Sequence, residues 1–308
     1  MIPKSKIKKT NSDHKNAINY WSKNMIIDFH THTFPDSIAA KAIKKLSETA
    51  DVAPCTDGTC AALSRSSTEC GIDLSVLLPI ATRPAQTEKI NAEAIHTNTF
   101  MYRSRLLSFG TIHPENEDYE AILRSLKEEG IPGIKLHPVY QSVYVDDPRI
   151  INIISCAESL DLYTIIHAGY DIGFPEHDMV TPEHIKNMLK STGAKRVILA
   201  HMGGWGCWDD VEKLLLADDD IRERIYLDTA FSMRPIDMRG MESNDIYLEN
   251  DQFLRMVRTL GADRVLFGTD SPWSRQADSL EVIKKSGLSP DEIKLVLGDN
   301  AAKILRIM

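Results

Sequence analysis

Two histidines separated by one residue, His30 and His32, have residue types and a spacing that could do metal chemistry. They follow the apolar run Met25 to Ile27, which is typical of a short buried β-strand. Because alternate residues of a strand share a face, the two imidazoles should point in the same direction. Two imidazoles on one side of a rigid strand make half of a metal site, although such a pair also occurs near surface turns.

Further polar residues follow the later apolar runs, so that six of the ten histidines come directly after predicted strands. The candidates are His30 and His32 after the first strand, His113 after the third, Lys135 and His137 at the fourth, His167 after the fifth, His201 after the sixth and Asp270 after the eighth. Any one of them could be an ordinary loop or core residue, so the hypothesis of a metal site depends on the whole set. Neutral imidazoles with a carboxylate suit Zn²⁺, and also Mn²⁺, Fe²⁺ or Co²⁺.

The elements that must position these residues are eight apolar runs that alternate with amphipathic segments. After a first strand that begins at Met25, the predicted strands are Leu74–Leu78, Leu106–Thr111, Gly133–His137, Leu162–His167, Val197–Ala200, Ile225–Asp228 and Val265–Gly268. Nearly continuous apolar strands are typical of a parallel sheet that helices cover. The pattern predicts an α/β fold, a single-domain (β/α)8 TIM barrel, whose active site would lie at the strands' C-terminal ends. A doubly wound open sheet is the alternative, but no Gly-x-Gly-x-x-Gly follows the first strand.

Composition limits the class of partner. The net charge is −8, and residues 1–24 carry six lysines and one aspartate, so the remaining residues carry −13. An acidic body argues against nucleic acid as a partner. No apolar run approaches the ~20 residues of a membrane span, and five cysteines without a pairing pattern indicate reduced thiols. We therefore expect a cytoplasmic protein with no membrane partner, a flexible basic extension over residues 1–24 and a barrel over residues 25–308.

Seven segments of the sequence resemble the amidohydrolase superfamily. They are DFHTHTFPD, GIKLHPVYQ, IIHAG, LAHMGG, YLDTAFS, LFGTDSPW and GDNAAKIL. The similarity is greatest to the amidohydrolase-related branch that includes aminocarboxymuconate-semialdehyde decarboxylase, and it runs from Met25 to the C-terminus. The resemblance implies a metal held by four residues, His30, His32, His167 and Asp270. It also implies that His201 binds a second metal or, in members with one metal, contacts the metal-bound water.

Lys135 has more than one interpretation. In binuclear members of the superfamily a lysine on this strand is carboxylated and bridges two metals. The alternatives are an ammonium group that binds a substrate carboxylate and a structural ion pair. We expect the plain ammonium and a single divalent ion, with zinc preferred. The predicted substrate-binding residues are Lys135, His137, His113, Trp205 and Trp273.

Two residues are predicted to do the chemistry. Asp270 would accept a proton from the water that the metal activates, and His201 would orient that water or polarise a substrate oxygen. We expect a metal-dependent hydrolase of a small amide, lactone or ester. The alternatives are a nonoxidative decarboxylase of a small aromatic or unsaturated carboxylic acid and a non-catalytic barrel that a metal stabilises. The expected partner is a small molecule that could carry a carboxylate, with a homodimer left open.

Overall fold

The computed structural model describes residues 25–233 and 247–307 of the chain. Within these ranges nine short β-segments pair in parallel. The segments are β1 Ile27–Thr31, β2 Leu74–Leu77, β3 Leu106–Ser108, β4 Gly110–Thr111, β5 Gly133–Leu136, β6 Tyr163–Ile166, β7 Val197–Leu199, β8 Ile225–Asp228 and β9 Val265–Leu266. The predicted extension, residues 1–24, lies outside the described residues.

These nine segments form a closed barrel of eight strands. Segments β3 and β4 are separated by Phe109 alone, and they pair with β2 and β5 respectively, so they are two parts of one strand. The last strand meets the first where Phe29 N donates to Phe267 O and Asp270 N donates to His30 O, both at 2.8 Å. The predicted TIM-barrel fold is confirmed.

Helices connect the successive strands, and none among the described residues is both long and apolar enough to cross a membrane. The helices Thr87–Thr99 and Met101–Ser104 are separated by Phe100, whose backbone leaves the helical region at φ −111° and ψ 12°. The α-helices are Asp36–Ala50, Cys60–Cys70, Thr87–Thr99, Met101–Ser104, Tyr119–Glu128, Pro148–Ser159, Pro182–Thr192, Trp208–Asp210, Asp219–Arg222, Asn250–Leu260, Gln276–Lys284, Pro290–Lys294 and Asn300–Leu305. Two π-helices, Val211–Leu216 and Leu295–Asp299, continue the helices that end at Asp210 and Lys294.

A buried apolar cluster holds the strands together beneath their C-terminal ends. Phe29 and Phe109 pack edge to face, with ring centroids 5.6 Å apart. They belong to one buried cluster with Ile165, Ile198 and Leu266, so that side chains from five different strands meet. Because packed interiors resist deformation, this cluster fixes the positions at which the polar residues leave the strands.

Candidate metal centre and active site

A cavity of about 240 Å³ lies at the C-terminal ends of the barrel strands. Nine of the ten predicted site residues line it, namely His30, His32, Lys135, His137, His167, His201, Trp205, Asp270 and Trp273. His113 is buried but is not part of this lining, and its Nδ1 accepts a hydrogen bond from Glu115 N at 3.2 Å. The barrel therefore gathers residues that are more than 200 positions apart in sequence.

Three potential metal ligands form a tight triangle in this cavity. His30 Nε2 lies 3.2 Å from His32 Nε2, and Asp270 Oδ1 lies 3.5 Å and 3.1 Å from these two nitrogens. Ligands held at about 2.1 Å from one ion are separated by roughly 3.0–3.4 Å in octahedral or tetrahedral geometry. The separations and the donor types therefore fit one divalent transition metal.

Hydrogen bonds to the outer ring nitrogens orient both imidazoles of this triangle. His30 Nδ1 donates to Asp228 Oδ2 at 2.8 Å, and His32 Nδ1 donates to Leu78 O at 3.0 Å. With the proton on Nδ1, each Nε2 keeps its lone pair and directs it into the triangle. Metal-ligating histidines commonly have such a partner, because it fixes both tautomer and ring orientation.

His201 and His167 form a separate hydrogen-bonded chain. His201 begins a tight turn directly after β7, with a backbone φ of 57°. Its Nδ1 donates to Ala230 O at 2.8 Å, and its Nε2 therefore accepts from His167 Nδ1 at 3.1 Å. His167 Nε2 is left buried, with no hydrogen-bond partner among the described residues.

The predicted set of four metal ligands is thus divided by the structure. Three members lie together, whereas His167 groups with His137 and Asp171, whose ligand atoms all lie within 4.8 Å of one another. The role of His167 as a fourth ligand of the first triangle stays a prediction. In this structure its Nδ1 faces His201 and its Nε2 faces Asp171.

The Asp270 carboxylate remains ionised in this buried setting. Burial raises its pKa, but the neighbouring side chains of His32, His30 and His201 outweigh burial and lower the pKa to about 2. Asp270 can therefore act as an anionic ligand and as a proton acceptor at neutral pH.

Lys135 is the buried cation beside the triangle. Its side chain is 1% exposed, and Nζ lies 3.3 Å from His30 Nε2. Burial lowers its pKa to about 8, against the opposing attraction of Asp228 and Asp270. The amine is therefore mostly protonated at neutral pH, but it can lose its proton more readily than an exposed lysine.

Several residues that contact the candidate site were not predicted from the sequence. Asp228 ends β8 within the segment YLDTAFS, so the same rule of polar residues at strand ends could have found it. Asp28 lies within β1 and accepts hydrogen bonds from Thr269 N and Thr269 Oγ1 at 3.0 and 2.6 Å, and from Gln276 Nε2 at 2.7 Å. It thereby ties the first strand to the segment that carries Asp270. Asp171 lies in a loop, where no periodic pattern could have indicated it.

Aromatic side chains form much of the remaining cavity wall. Tyr140 stacks on His137 with ring centroids 3.9 Å apart, and His137 stacks on His167 at 4.1 Å. Trp205 and Trp273 also line the cavity, and Trp205 Nε1 is buried without a hydrogen-bond partner among the described residues. The cavity therefore has a largely aromatic wall, and Trp205 Nε1 is a buried donor that no described residue accepts from.

The chain matches a protein family described as "Amidohydrolase" over residues 27–307. No curated protein matches the chain.

Solved structures with similar folds include two decarboxylases and one hydrolase. A dihydroxybenzoic acid decarboxylase from Polaromonas sp. JS666, with bound manganese and the inhibitor 2-nitroresorcinol, is 15% identical at a TM-score of 0.66, with 92% of this chain and 97% of that chain covered. A 2,6-dihydroxybenzoate decarboxylase from Rhizobium is 14% identical at 0.66, with 92% and 99% covered. A probable 2-pyrone-4,6-dicarboxylic acid hydrolase from Acinetobacter baumannii, with citric acid bound, is 18% identical at 0.63, with 91% and 99% covered. At sequence identities of 14–18%, the similarity to these structures establishes the fold alone.

Proposed function

This chain belongs to the amidohydrolase family, and we propose that it is a metal-dependent hydrolase of a small amide, lactone or ester. The family predicted from the sequence motifs is confirmed by the match over residues 27–307. The observation that carries the proposal is the triangle of His30 Nε2, His32 Nε2 and Asp270 Oδ1, with separations of 3.1–3.5 Å, at the wall of a cavity. Such a set, with ligand positions left open toward a cavity, is what a catalytic metal site requires.

We propose one divalent ion in this triangle, with zinc as the preferred metal and manganese as the alternative. Two imidazoles and one carboxylate accept either ion. A divalent cation in such a site lowers the pKa of water and polarises a substrate oxygen. The ion would be held by His30, His32 and Asp270, and His167 remains the proposed fourth ligand.

The protein's own groups then have distinct roles in hydrolysis. Asp270, ionised at neutral pH, takes the proton of the attacking water and can return it to the leaving group. His201 is held by three hydrogen bonds, to Ala230 O, to His167 Nδ1 and from its own N–H to Asp228 Oδ1 at 3.0 Å. Its Nε2, the ring nitrogen that does not face the backbone, would orient the water or the substrate oxygen in exchange for its hydrogen bond with His167.

Substrate binding is proposed to use the cationic and aromatic parts of the cavity. The Lys135 ammonium would pair with a substrate carboxylate, and Trp205 Nε1 would donate to a substrate oxygen. His137 and Trp273 would pack against the body of the substrate. His113 lies outside the cavity lining, so a substrate contact from it would need a movement of the surrounding loop.

Nonoxidative decarboxylation of a small aromatic or unsaturated acid is the second candidate. It is favoured by one observation, the combination of stacked aromatic side chains with the buried Lys135 beside the triangle. A flat acid could place its carboxylate between the cation and the metal ligands. In that reaction the metal would orient the substrate, and Asp270 would take a proton from water and pass it to the carbon that loses CO₂, while the hydroxide left behind would combine with the released CO₂ as bicarbonate.

One assay separates the two reactions and the non-catalytic alternative. Metal-loaded protein is incubated with a panel of lactones, amides, esters and aromatic carboxylic acids, and acid release and CO₂ release are recorded in parallel. Hydrolysis gives products without CO₂, whereas CO₂ equal to the substrate consumed would replace our proposal with decarboxylation. Chelator-treated protein and Asp270→Asn are the controls. Absence of turnover across the panel would favour a barrel that only a bound metal stabilises.

A cytoplasmic location, a homodimer and the division at residue 25 remain predictions. The match to the family begins at residue 27, where β1 also begins, which supports a domain that starts near Met25.

A further inference from the structure

Asp171 reaches the cavity from the loop that follows β6, and it is only 5% exposed. Its Oδ2 lies 3.5 Å from His137 Nε2 and 3.9 Å from His167 Nε2. We propose that Asp171 is a positioning residue for the metal, because its carboxylate holds a proton on His167 Nε2 and so frees the lone pair of His167 Nδ1. The inference rests on the proposed function, in which His167 is the fourth ligand of a single ion.

The two ring nitrogens of His167 face different groups. Nδ1 lies 3.1 Å from His201 Nε2, and Nε2 is buried with no hydrogen-bond partner among the described residues. With the proton on Nδ1, the Nε2 lone pair faces the oxygen of Asp171, so that two buried acceptors oppose each other. With the proton on Nε2, the same contact becomes attractive. A neutral imidazole has only one such proton, so Nδ1 is then bare, as a metal ligand must be.

His137 has the same relation to Asp171 that we propose for His167. Its Nδ1 accepts from Tyr140 N at 3.4 Å, so the proton of a neutral ring lies on Nε2, which faces Asp171 Oδ2. The rings of His137 and His167 stack with centroids 4.1 Å apart and an angle of 13° between their planes. One carboxylate oxygen therefore faces the Nε2 atoms of two nearly parallel rings.

Nδ1 is the nitrogen through which His167 would serve the triangle of His30, His32 and Asp270. It faces the His201 ring, whose centroid lies 5.2 Å from that of His30, whereas Nε2 faces Asp171. When Nδ1 binds the metal, its hydrogen bond with His201 Nε2 is lost. That nitrogen then becomes available to the water or the substrate oxygen, as the proposed role of His201 requires.

The Asp171 carboxylate is held in place by its own loop and by the cavity wall. Oδ1 accepts from Gly173 N at 2.9 Å, the backbone oxygen of Asp171 accepts from Phe174 N at 2.9 Å, and the Tyr140 hydroxyl also donates to the carboxylate. The 3.9 Å between Oδ2 and His167 Nε2 is longer than a hydrogen bond of about 2.9 Å. The His167 ring must therefore move by roughly 1 Å toward Asp171 as it takes up the ion.

The first test is the zinc affinity of Asp171→Asn, measured on the full chain by competition with a metal-binding dye. Gly173 N keeps the amide oxygen at the position of Oδ1, so an NH₂ replaces Oδ2 and donates to His167 Nε2. The proton then stays on Nδ1, and the affinity should fall by about 10–100-fold. Asp178→Asn is the matched control, because Asp178 is an exposed aspartate seven residues further along the chain, and its affinity should equal that of the wild type.

A double variant shows whether Asp171 acts through His167. His167→Ala should itself weaken zinc binding, and adding Asp171→Asn to it should have no further effect. An equal loss in both backgrounds, or no loss in His167→Ala, would overturn the inference. Wild-type protein that binds zinc as tightly as Asp171→Asn would overturn the inference but leave the proposed function, whereas wild-type protein that binds no zinc would overturn both.

The second test locates the proton directly and does not depend on Asp171→Asn, whose folding circular dichroism checks. Histidine ¹⁵N chemical shifts are recorded for the zinc-loaded wild type, and the signals of His167 are identified by their loss in His167→Ala. We expect the proton on Nε2 and a zinc-bound Nδ1. A proton on Nδ1 in the zinc-loaded protein would overturn the inference.

Discussion

His30 Nδ1 donates a 2.8 Å hydrogen bond to Asp228 Oδ2, and both side chains are almost completely buried. The bond joins the first strand to the strand that ends at Asp228, and it leaves His30 Nε2 unprotonated toward His32 and Asp270. The second oxygen of Asp228 accepts from His201 N and Ala230 N at 3.0 and 3.1 Å. One carboxylate thus orients the proposed metal ligand His30 and positions the segment that carries His201.

Replacement of Asp228 by asparagine should weaken metal binding. Asp228→Asn keeps Oδ1 for the two backbone N–H groups but can present an NH₂ to His30 Nδ1, which would force the proton onto Nε2. We expect the affinity for the metal ion to fall by about 10–100-fold, the range found for outer partners of ligating histidines. Competition with a metal-binding dye measures it. An unchanged affinity would mean that His30 is oriented by packing alone.

Substitutions of Asp270 and His201 should reduce activity without adding to each other. Asp270→Asn should fold and retain part of its metal, with kcat lowered by ~10² or more, the scale of general acid–base catalysis. His201→Asn should lower activity while most of the metal remains. Because both residues act on one water, the double variant should be little worse than the poorer single variant. Activity that survives both changes on an identified substrate would refute the mechanism.

Lys135→Met tests whether Lys135 binds substrate or bridges metals. The change removes the ammonium but keeps an unbranched apolar chain. We expect KM for carboxylate-bearing substrates to rise by about tenfold, the effect of losing roughly 1.4 kcal/mol of binding, while KM for neutral esters and the metal content stay constant. Steady-state kinetics measure the KM values, and elemental analysis measures the metal content. Loss of an ion whose binding to the wild type depends on bicarbonate would instead indicate a carboxylated lysine.

Asp28 should make the stability of the metal-free protein depend on pH. Burial raises its pKa from the ordinary 3.8 to about 7, although hydrogen bonds from Gln276 and Thr269 oppose the shift. The folded state therefore binds this proton more tightly than the unfolded state. The stabilisation is fully present below pH 3.8 and is lost as the pH rises toward 7, by roughly 4 kcal/mol at 1.36 kcal/mol per pKa unit.

Asp28→Asn lacks this titration and provides the comparison. Urea unfolding at pH 4.5, 6 and 8 should show that the wild type loses stability relative to Asp28→Asn as the pH rises. If the difference in unfolding free energy between the two proteins stays constant with pH, or changes in favour of the wild type as the pH rises, the raised pKa of Asp28 is contradicted.

The sequence alone determined the barrel and indicated nine of the residues that line its cavity. Periodicity separates buried strands from helices, and the C-terminal ends of parallel strands must meet at one rim, so histidines that follow strands are brought together whatever their separation in sequence. This reasoning selected His30, His32 and Asp270, whose candidate ligand atoms meet, and also His113, which accepts from the backbone N–H of Glu115 and does not line the cavity.

Only the tertiary structure decided how the ligands are divided. The position of a side chain along a strand fixes the face on which it lies, but not which ring nitrogen it presents or which partner holds its other nitrogen. The carbonyl of Ala230 sets the tautomers of His201 and His167, and Asp171 reaches His167 from a loop without a repeating pattern. Such contacts depend on side-chain rotation and loop path, which hydrophobic periodicity does not encode, so the grouping of His167 with Asp171 could be read only from the folded chain.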